Sequence, residues 1–581
     1  MDTPQPDESP SVPRPTTTRP LVVAALLAII ALSLFVHLRN LSHDLPAPGA
    51  DEPYFVLPAA RMAWHGDVNP RWFGHPGSTV IYPLAFAYRA REVLFHGAPL
   101  FGDAPSIAQR FRTDPTSFYE IGRLWVILLS VATIPLLFFV ARRAFDEVTG
   151  LVAALAWALV PLAVSYGSIV RTDAAGACFG LLALWACLLA FDRPTTSHFA
   201  WAGAAIGLAV ASRYFMVTLL AVLGAVWLLA RRRDRARVPV RSLVVGAAVA
   251  LGAFALTTPF FFVDWHAVAR SLQAETVGTV TNDQSGWLEN VGYYLGDAIP
   301  AAVSWAVPLL AVAGVAIACA RRDARRILLA GFVVLFIAVI SLSSLHWQRW
   351  IIPVLPLVVL FGASAVVTTA RALARNVSLS SARRWTFATV VAVGAVALTA
   401  APAASLVDFE RAQDAPSSRV LMRDWIKRHI PKGSLIATEV KGPELRTAGY
   451  RVLDRYDLPH DGTLGDYAAH GYHYLVVNAF VSLRYRIDAH RWPLHARFYQ
   501  YLRERGQLLA DFGGDDGAEG PHLKLYYMDP AILAGGHHAI NLEVTSPSAH
   551  DRLTRPKPLY PAGEEILGEP HTQAAARLTG S

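Results

Sequence analysis

The sequence predicts a polytopic α-helical membrane protein that carries a small extracytoplasmic α/β domain near its C-terminal end. Three observations predict it. Of 581 residues, 54% are hydrophobic and 17% charged, with a mean hydropathy of +0.35. An ordinary soluble domain is about 25% charged, so the charge here is too scarce to cover a soluble protein of this length. Apolar runs long enough to cross a bilayer recur through the first 404 residues. Beyond about Leu406 the composition turns soluble, and helical and strand periods alternate. Together these exclude a soluble cytosolic enzyme and a mostly disordered chain. The net charge of +8 does not point to nucleic acid, because lysine is absent before Lys427 and the arginines of the apolar part gather at the ends of apolar runs. That placement is a topology signal.

Residues 1–19 are Pro, Thr, Ser and charge, and read as a disordered cytoplasmic tail. The run 20–38 fits an uncleaved signal anchor. Residues 39–119 form a long first external loop with juxtamembrane helices. Its segment 78–94 contains Pro83, Arg89 and Arg91 and reads as a juxtamembrane or re-entrant helix. Ten more runs follow, at about 121–141, 148–167, 171–191, 197–212, 213–231, 240–262, 297–320, 325–345, 349–370 and 385–404, making eleven crossings. The split at Arg213 is forced by length, since 197–231 is too long for one helix. With eleven crossings, the arginine clusters at 142–143, 193, 231–237, 321–326 and 371–384 all share the side of the N-terminus, which is then cytoplasmic. A crossing at 78–94 would turn those loops outward. The expected location is a bacterial plasma (inner) membrane, multi-pass.

The membrane domain spans 20–404, an extracytoplasmic α/β domain 405–531, and an irregular tail 532–581. Within the soluble part, 417–430 and 493–506 read as helices, and 434–440, 450–456, 472–479, 507–512 and 522–528 as strands. Cys178, Cys187 and Cys319 lie inside apolar runs with no metal-ligand spacing, and read as small buried residues.

Five places on the external side hold polar chemistry. Asp51-Glu52 follows the first crossing, and adjacent residues cannot share one helix face. One carboxylate can face a cleft as a general base while the other anchors the loop. Trp72-Phe73-Gly74-His75-Pro76-Gly77 reads as a rigid interfacial turn. Arg171 and Asp173 open the fourth crossing, free either to pair with each other or to contact substrate. Arg213, before Tyr214, follows a run of small residues that permits close helix packing. An arginine there either holds a lipid phosphate or snorkels. His346-Trp347-Gln348-Arg349 leads into two prolines three apart, Pro353 and Pro356. Residues 513–517, Gly-Gly-Asp-Asp-Gly, read as a hairpin turn, and no phosphate-loop or dinucleotide fingerprint is present in the sequence.

Taken in order, these motifs resemble the GT-C superfamily of integral-membrane glycosyltransferases, nearest the bacterial protein O-mannosyltransferase and lipid A aminoarabinose transferase branch. The resemblance covers about residues 20–530 and rests on five features. They are the Asp-Glu pair, the His-Pro turn, the Arg-x-Asp entry, the Gly-Leu-Ala-x-Ala-x-Arg-Tyr run ending at Tyr214, and the Arg-Trp-x-x-Pro-x-x-Pro run with the following α/β domain. It implies a GT-C fold of about eleven transmembrane helices. It also implies transfer of a sugar from a polyprenyl-phosphate donor to a lipid, protein or glycan acceptor at the external face, with inversion and without nucleic acid. Asp51 is then the catalytic carboxylate with Glu52 beside it. Arg213, Arg349 and Arg171 hold the donor phosphate, and His75, Asp173, His346 and Tyr214 complete the site. Gly77 stands where the family pattern has a second proline after the His75 position. No cofactor is certain; some members of the superfamily use a divalent metal. Two other classes fit less well, a catalytically dead scaffold for envelope assembly and a lipid or sugar transporter. The latter would carry charge near the midplane and often inverted repeats.

Overall fold

The computed structural model describes residues 20–49, 51–74, 76–233, 238–276, 286–343, 345–514 and 517–529. The readings of 1–19, His75, Asp515-Asp516 and the tail 532–581 lie outside them.

Helix α1 (Pro20–Arg39) is followed by three helices of the first loop, α2 (Pro53–His65), α3 (Ser78–His96) and α4 (Pro105–Thr113). Prolines begin α2 and α4, where the missing N–H costs nothing. Gly66 and Gly97 end α2 and α3 in the left-handed conformation, at φ +69° and +65°. The expected helix at 78–94 is thus α3. Next come α5 (Thr116–Ala144), α6 (Glu147–Ala158), α7 (Pro161–Gly167), α8 (Asp173–Asp192), α9 (Thr196–Ser212), α10 (Leu219–Arg233) and α11 (Val240–Thr257). After them run α12 (Phe260–Val263), α13 (Trp265–Thr276), α14 (Trp287–Tyr293), α15 (Ile299–Val303), α16 (Ala306–Ala320), α17 (Ala324–Ile340), α18 (Leu355–Arg375) and α19 (Ser380–Gln413).

Among the described residues, seven helices are individually long and apolar enough to cross a membrane, and two bent pairs raise this to nine. The pairs are α6 with α7, bent 64° ahead of Pro161, and Trp287–Val303 with α16, bent 115° next to Ser304 at φ +66°. Two more expected runs fall on α9 and α17, each 17 residues long. Each expected run therefore overlaps a helix or a bent pair, while 240–262 and 325–345 run past the ends of α11 and α17. Cys178 and Cys187 are buried, but Cys319 is exposed. It sits in the last turn of α16, off the buried stripe of Val307, Ala311, Gly314 and Ala318.

Helices α9 and α11 touch backbone to backbone. A β-carbon at Gly207 would come 2.5 Å from Ala250 O, and one at Gly203 would overlap Gly246 O. Small residues let dispersion work at short range where no hydrophobic force separates helix from lipid. This contact fixes the end of α9, where Arg213 sits.

The soluble part holds α20 (Ser418–His429), β1 (Leu435–Glu439), β2 (Arg451–Arg455), α21 (Leu464–Ala469), β3 (Tyr474–Asn478), α22 (Ala479–Ile487), α23 (Pro493–Arg505), β4 (Gln507–Phe512) and β5 (Leu523–Tyr527). The sheet order is β2-β1-β3-β5-β4, parallel through the first three strands and antiparallel through the rest. Alternate residues feed opposite faces. Ile436, Val452 and Val476 join Met422 and Ile426 of α20 in one core. Ala437, Leu453 and Leu475 join Tyr467, Tyr499 and Leu502 in the other. The chain passes from β1 to β2 on one side and to β3 on the other, so the carboxyl end of β1 is a topological switch point, where α/β sheets form crevices.

Two sets of bonds seat this sheet on the membrane part. At the helix ends, Arg39 reaches Glu410 at 3.3 Å and Asp414 at 3.1 Å, and Asn40 donates to Glu410 at 3.0 Å, clamping α1 to α19. At the loop, Arg419 pairs with Asp44 and donates to Pro48 O at 2.6 Å, while His43 Nε2 lies 3.2 Å from Glu519. The Arg419 and Asp44 side chains are only 8% and 6% exposed. Removing one partner of such a pair costs about 3 kcal/mol or more. Arg419→Ala is therefore expected to raise hydrogen exchange of the Leu45 and Ala47 amides, bonded to Ser42 O and Asp44 O, by about 100-fold. Unchanged protection there would show that the loop is held from elsewhere.

Candidate active site

Four segments meet under the carboxyl end of β1: the loop before α2, the α7–α8 turn, the α9 terminus and the 345–354 segment. The loop is built around Glu52. That side chain is fully buried and accepts two bonds from Arg123, at 2.8 and 2.9 Å. It also accepts from Val170 N at 3.0 Å and Gly49 N at 2.8 Å. Burial alone would push its carboxyl up, but Arg123 and the two backbone N–H groups hold it below the usual range. Arg123 also donates to Leu41 O at 2.9 Å and His43 O at 2.7 Å. Glu52 is thus tied into the loop's frame and does not face the cleft beside Asp51.

Asp51 is 43% exposed and pairs with buried Arg171. Arg171 Nε donates to Asp173 Oδ2 at 3.1 Å, and its guanidinium lies 5.7 Å from the Tyr166 ring. Asp173 begins α8, where the helix dipole favours a carboxylate. Its other oxygen is taken by Arg213. Gly176 leaves room for the Arg213 stem, since a β-carbon there would stand 3.0 Å from Arg213 Cδ. Arg213 itself is extended, at φ −150° and ψ 125°, and ends α9 before a short 3₁₀ turn.

Arg349 lies within electrostatic reach of both Asp173 and Arg213. Its guanidinium sits 4.5 Å from the Trp347 ring, and its Nε is buried without a hydrogen-bond partner among the described residues. The structure therefore brings Asp51, Arg171, Asp173, Arg213 and Arg349 together. Tyr214 and His346 do other things. Tyr214 Oη donates to Phe73 O at 3.1 Å, tying Phe73 to the α9 end. His346 meets Asn290 Oδ1 at 2.8 Å and packs on Tyr293.

Lys441 reaches this cluster from the soluble domain, and sequence reading did not find it. It follows β1 at φ +64°, is solvent-accessible, and lies within electrostatic reach of Asp51, Arg171, Arg349 and Arg419. Burial among protein, opposed by Asp51 and reinforced by the arginines, moves its pKa down. The only hint in the sequence was that the membrane part lacks lysine, so a lysine in the cleft must come from beyond residue 426. Arg123 carried a clearer signal, an ionisable group inside an apolar run, which by default has a named partner.

The cluster counts four cations, Arg171, Arg213, Arg349 and Lys441, against Asp51 and Asp173. A net excess of two positive charges suits an anion. It does not suit a divalent cation, because both carboxylates already face arginine. Among the described residues, the one set of three His, Asp or Glu groups with metal-like spacing is His43, Asp44 and Glu519, at the domain junction, where Arg419 occupies Asp44.

Residues 120–260 match the family described as Dolichyl-phosphate-mannose-protein mannosyltransferase. The match includes Arg171, Asp173 and Arg213 and leaves out Asp51, Arg349 and Lys441. A search of curated proteins finds no match. Among solved structures, ArnT from Cupriavidus metallidurans in the apo state aligns with a TM-score of 0.55 at 13% identity, over 88% of this chain and 99% of that chain. The fold is GT-C. ArnT bound to undecaprenyl phosphate aligns at 15% identity and TM-score 0.49, over 88% of this chain and 98% of that chain. The oligosaccharyltransferase AglB from Archaeoglobus fulgidus aligns at 13% identity and TM-score 0.49, over 86% and 74%.

Proposed function

We propose that this GT-C protein is a glycosyltransferase that moves a sugar from a polyprenyl-phosphate donor to an acceptor hydroxyl at the external membrane face. The observation that carries this reading is the convergence of three arginines on Asp173 next to the exposed carboxylate of Asp51. The partial match to a mannosyltransferase family supports it. Arg213 and Arg349 bind the donor phosphate, and the buried Nε of Arg349 gains the acceptor it lacks. Charge-assisted bonds to phosphate are worth most where charge grows, as the sugar–phosphate bond breaks.

Asp51 takes the proton of the incoming hydroxyl. Arg171 bridges Asp51 and Asp173, so an arriving phosphate competes for that guanidinium and raises the basicity of Asp51 only when donor is present. Attack from the face opposite the phosphate inverts the anomeric carbon. Glu52 is a positioning residue, acting through Arg123 and the loop. Tyr214, through its bond to Phe73 O, supports the α9 end, and His346 steadies the approach to Arg349. The lipid lies between helices, on the same side as the phosphate.

Arg213→Ala is expected to raise the apparent KM for a polyprenyl-phosphate sugar by about 10- to 100-fold, the loss of one charge-assisted bond. Initial rates in membranes against donor concentration check this. An unchanged donor dependence would assign Arg213 to holding Asp173 alone.

A further inference from the structure

The end of the helix bundle opposite the cleft carries arginines that sugar transfer leaves unused. Helix α8 runs from Asp173, in the cleft, to Asp192. At 1.5 Å per residue its two ends stand about 30 Å apart, close to the thickness of a hydrocarbon layer. Around Asp192, guanidiniums gather from the ends of α5, α8, α10 and α17. Arg325 donates to Asp192 Oδ1 at 2.6 and 2.9 Å, and Arg143 to Oδ2 at 3.0 Å. Arg193 follows Asp192 in the chain and lies within electrostatic reach of Arg143. The guanidinium of Arg233 stands 4.1 Å from the centre of the Phe191 ring, and that of Arg325 reaches the same ring at 5.7 Å.

Asp192 serves both Arg143 and Arg325, while Arg193 and Arg233 are exposed and have no carboxylate partner among the described residues. Four cations thus surround one anion. Helices α5, α8 and α10 end here and α17 begins here, so their dipoles offset only about one of the three excess charges. The bias of arginine towards one side of a membrane concerns how many charges that side holds. It does not require them to converge on one ring and one carboxylate, where they repel one another. An anion among them relieves that repulsion, and the planar fork of arginine takes two phosphate oxygens at once.

The surface beneath selects the kind of anion. Phe139 lies one turn before Arg143 on α5 and is 40% exposed, and Trp185 lies two turns before Asp192 on α8. Their rings are 6.4 Å apart. An aromatic wall therefore runs from the charged group towards the middle of the helices. A free phosphate gains nothing from that wall, whereas a lipid with a phosphate head and an acyl chain covers both parts. Such a lipid is not the sugar donor, whose phosphate belongs at Arg213, at the other end of α8.

We propose that the ends of α5, α8, α10 and α17 form a binding site for one anionic phospholipid of the leaflet opposite the cleft. Its phosphate is held by the arginines around Asp192 and Phe191, and an acyl chain lies along Phe139 and Trp185. The site is independent of the transfer reaction and holds whether or not the cleft moves a sugar.

The test uses the full-length protein in detergent, with dioleoylphosphatidylglycerol or dioleoylphosphatidylcholine added. Native mass spectrometry counts the lipid retained, and the thermal midpoint is read alongside. One phosphatidylglycerol should be retained per chain, at least about tenfold more tightly than phosphatidylcholine, and it should raise the midpoint by several degrees. Arg193→Gln with Arg233→Gln should weaken that retention by about tenfold or more. Both side chains are exposed, so folding is not the variable. Arg375→Gln with Arg384→Gln removes the same charge from exposed positions at the same end of the bundle, outside the group, and should leave retention unchanged.

Phe139→Ser should also weaken retention, and glycerophosphoglycerol, the headgroup without its chains, should neither bind nor stabilise. Equal retention of the two lipids would overturn the proposal by showing no selection for charge. Equal losses in the two paired variants would reduce the group to general surface charge. Stabilisation by the bare headgroup or by inorganic phosphate, matching that of the lipid, would make it a site for a soluble anion instead.

Discussion

Asp51→Asn should leave a folded, membrane-inserted protein that no longer transfers sugar. The loss expected for removing a general base is about 10²- to 10⁴-fold in kcat, or ~3–5 kcal/mol of transition-state stabilisation. Donor binding should change far less, because Arg213 and Asp173 keep their contact, and Arg171 keeps its bond to Asp173. Stability should change little, since the Asp51 side chain is nearly half exposed. The measurement is label leaving a panel of radiolabelled polyprenyl-phosphate sugars in membranes carrying wild type or variant. Turnover close to wild type in the variant would remove Asp51 from the chemistry. A drop confined to donor KM would move Asp51 to phosphate positioning through Arg171.

Glu52→Ala should do the opposite, lowering stability more than any other single change at the site. It strands Arg123, about 2% exposed, among backbone carbonyls, with only Asp44, already paired to Arg419, as a more distant counter-charge. Leaving one partner of a buried pair alone costs about 3–5 kcal/mol. The thermal midpoint of the purified protein in detergent should fall by many degrees, and activity should fall with it as the loop carrying Asp51 loosens. The double variant Glu52→Ala with Arg123→Met should recover much of the lost stability, because apolar replacement of both members of a buried pair is often neutral. The pH dependence follows from the lowered carboxyl of Glu52. A group whose folded pKa is depressed contributes its full stability above the ordinary value near 4.5 and loses it as pH falls through the folded value. Wild type should therefore destabilise on acidification below that range more steeply than Glu52→Ala. Equal stability of Glu52→Ala and wild type would refute the anchoring role.

Much of the fold was legible because its signals are long and periodic. A run of twenty apolar residues has few alternatives in water, and arginine at run ends reports which runs are joined. The break at Arg213 could be read from length alone, and the five strands from alternation and turn residues. The first loop was less legible. Helix α2 is short and begins with Pro53, and its burial depends on α3 and on the start of α5 rather than on its own pattern.

The site was legible as a set of residue types but not as a geometry. Asp51, Arg171, Asp173, Arg213 and Arg349 stood out as charges at helix ends, and they do converge. What sequence could not say is which charge faces which. Asp51 and Glu52 are chemically near-equivalent neighbours, and only the position of Arg123 divides them into an exposed group and a buried one. Lys441 was harder still. It lies in a different domain, more than two hundred residues from Arg213. Its place over the cleft depends on how the sheet is seated.

Helix α19 runs unbroken for 34 residues, with its polar end clamped to α1. At 1.5 Å per residue it is about 50 Å long, against a hydrocarbon layer of roughly 30 Å. It therefore works as a ruler, setting the height of the sheet above the lipid. A thinner or thicker bilayer is met by tilting such a helix, at a cost of fractions of a kcal/mol per Å of mismatch. Because Arg39 and Asn40 fasten α1 to the same end, the loop bearing Asp51 tilts with the mount bearing Lys441. Acyl-chain length would then change how the whole assembly leans in the membrane while sparing the register between its two halves.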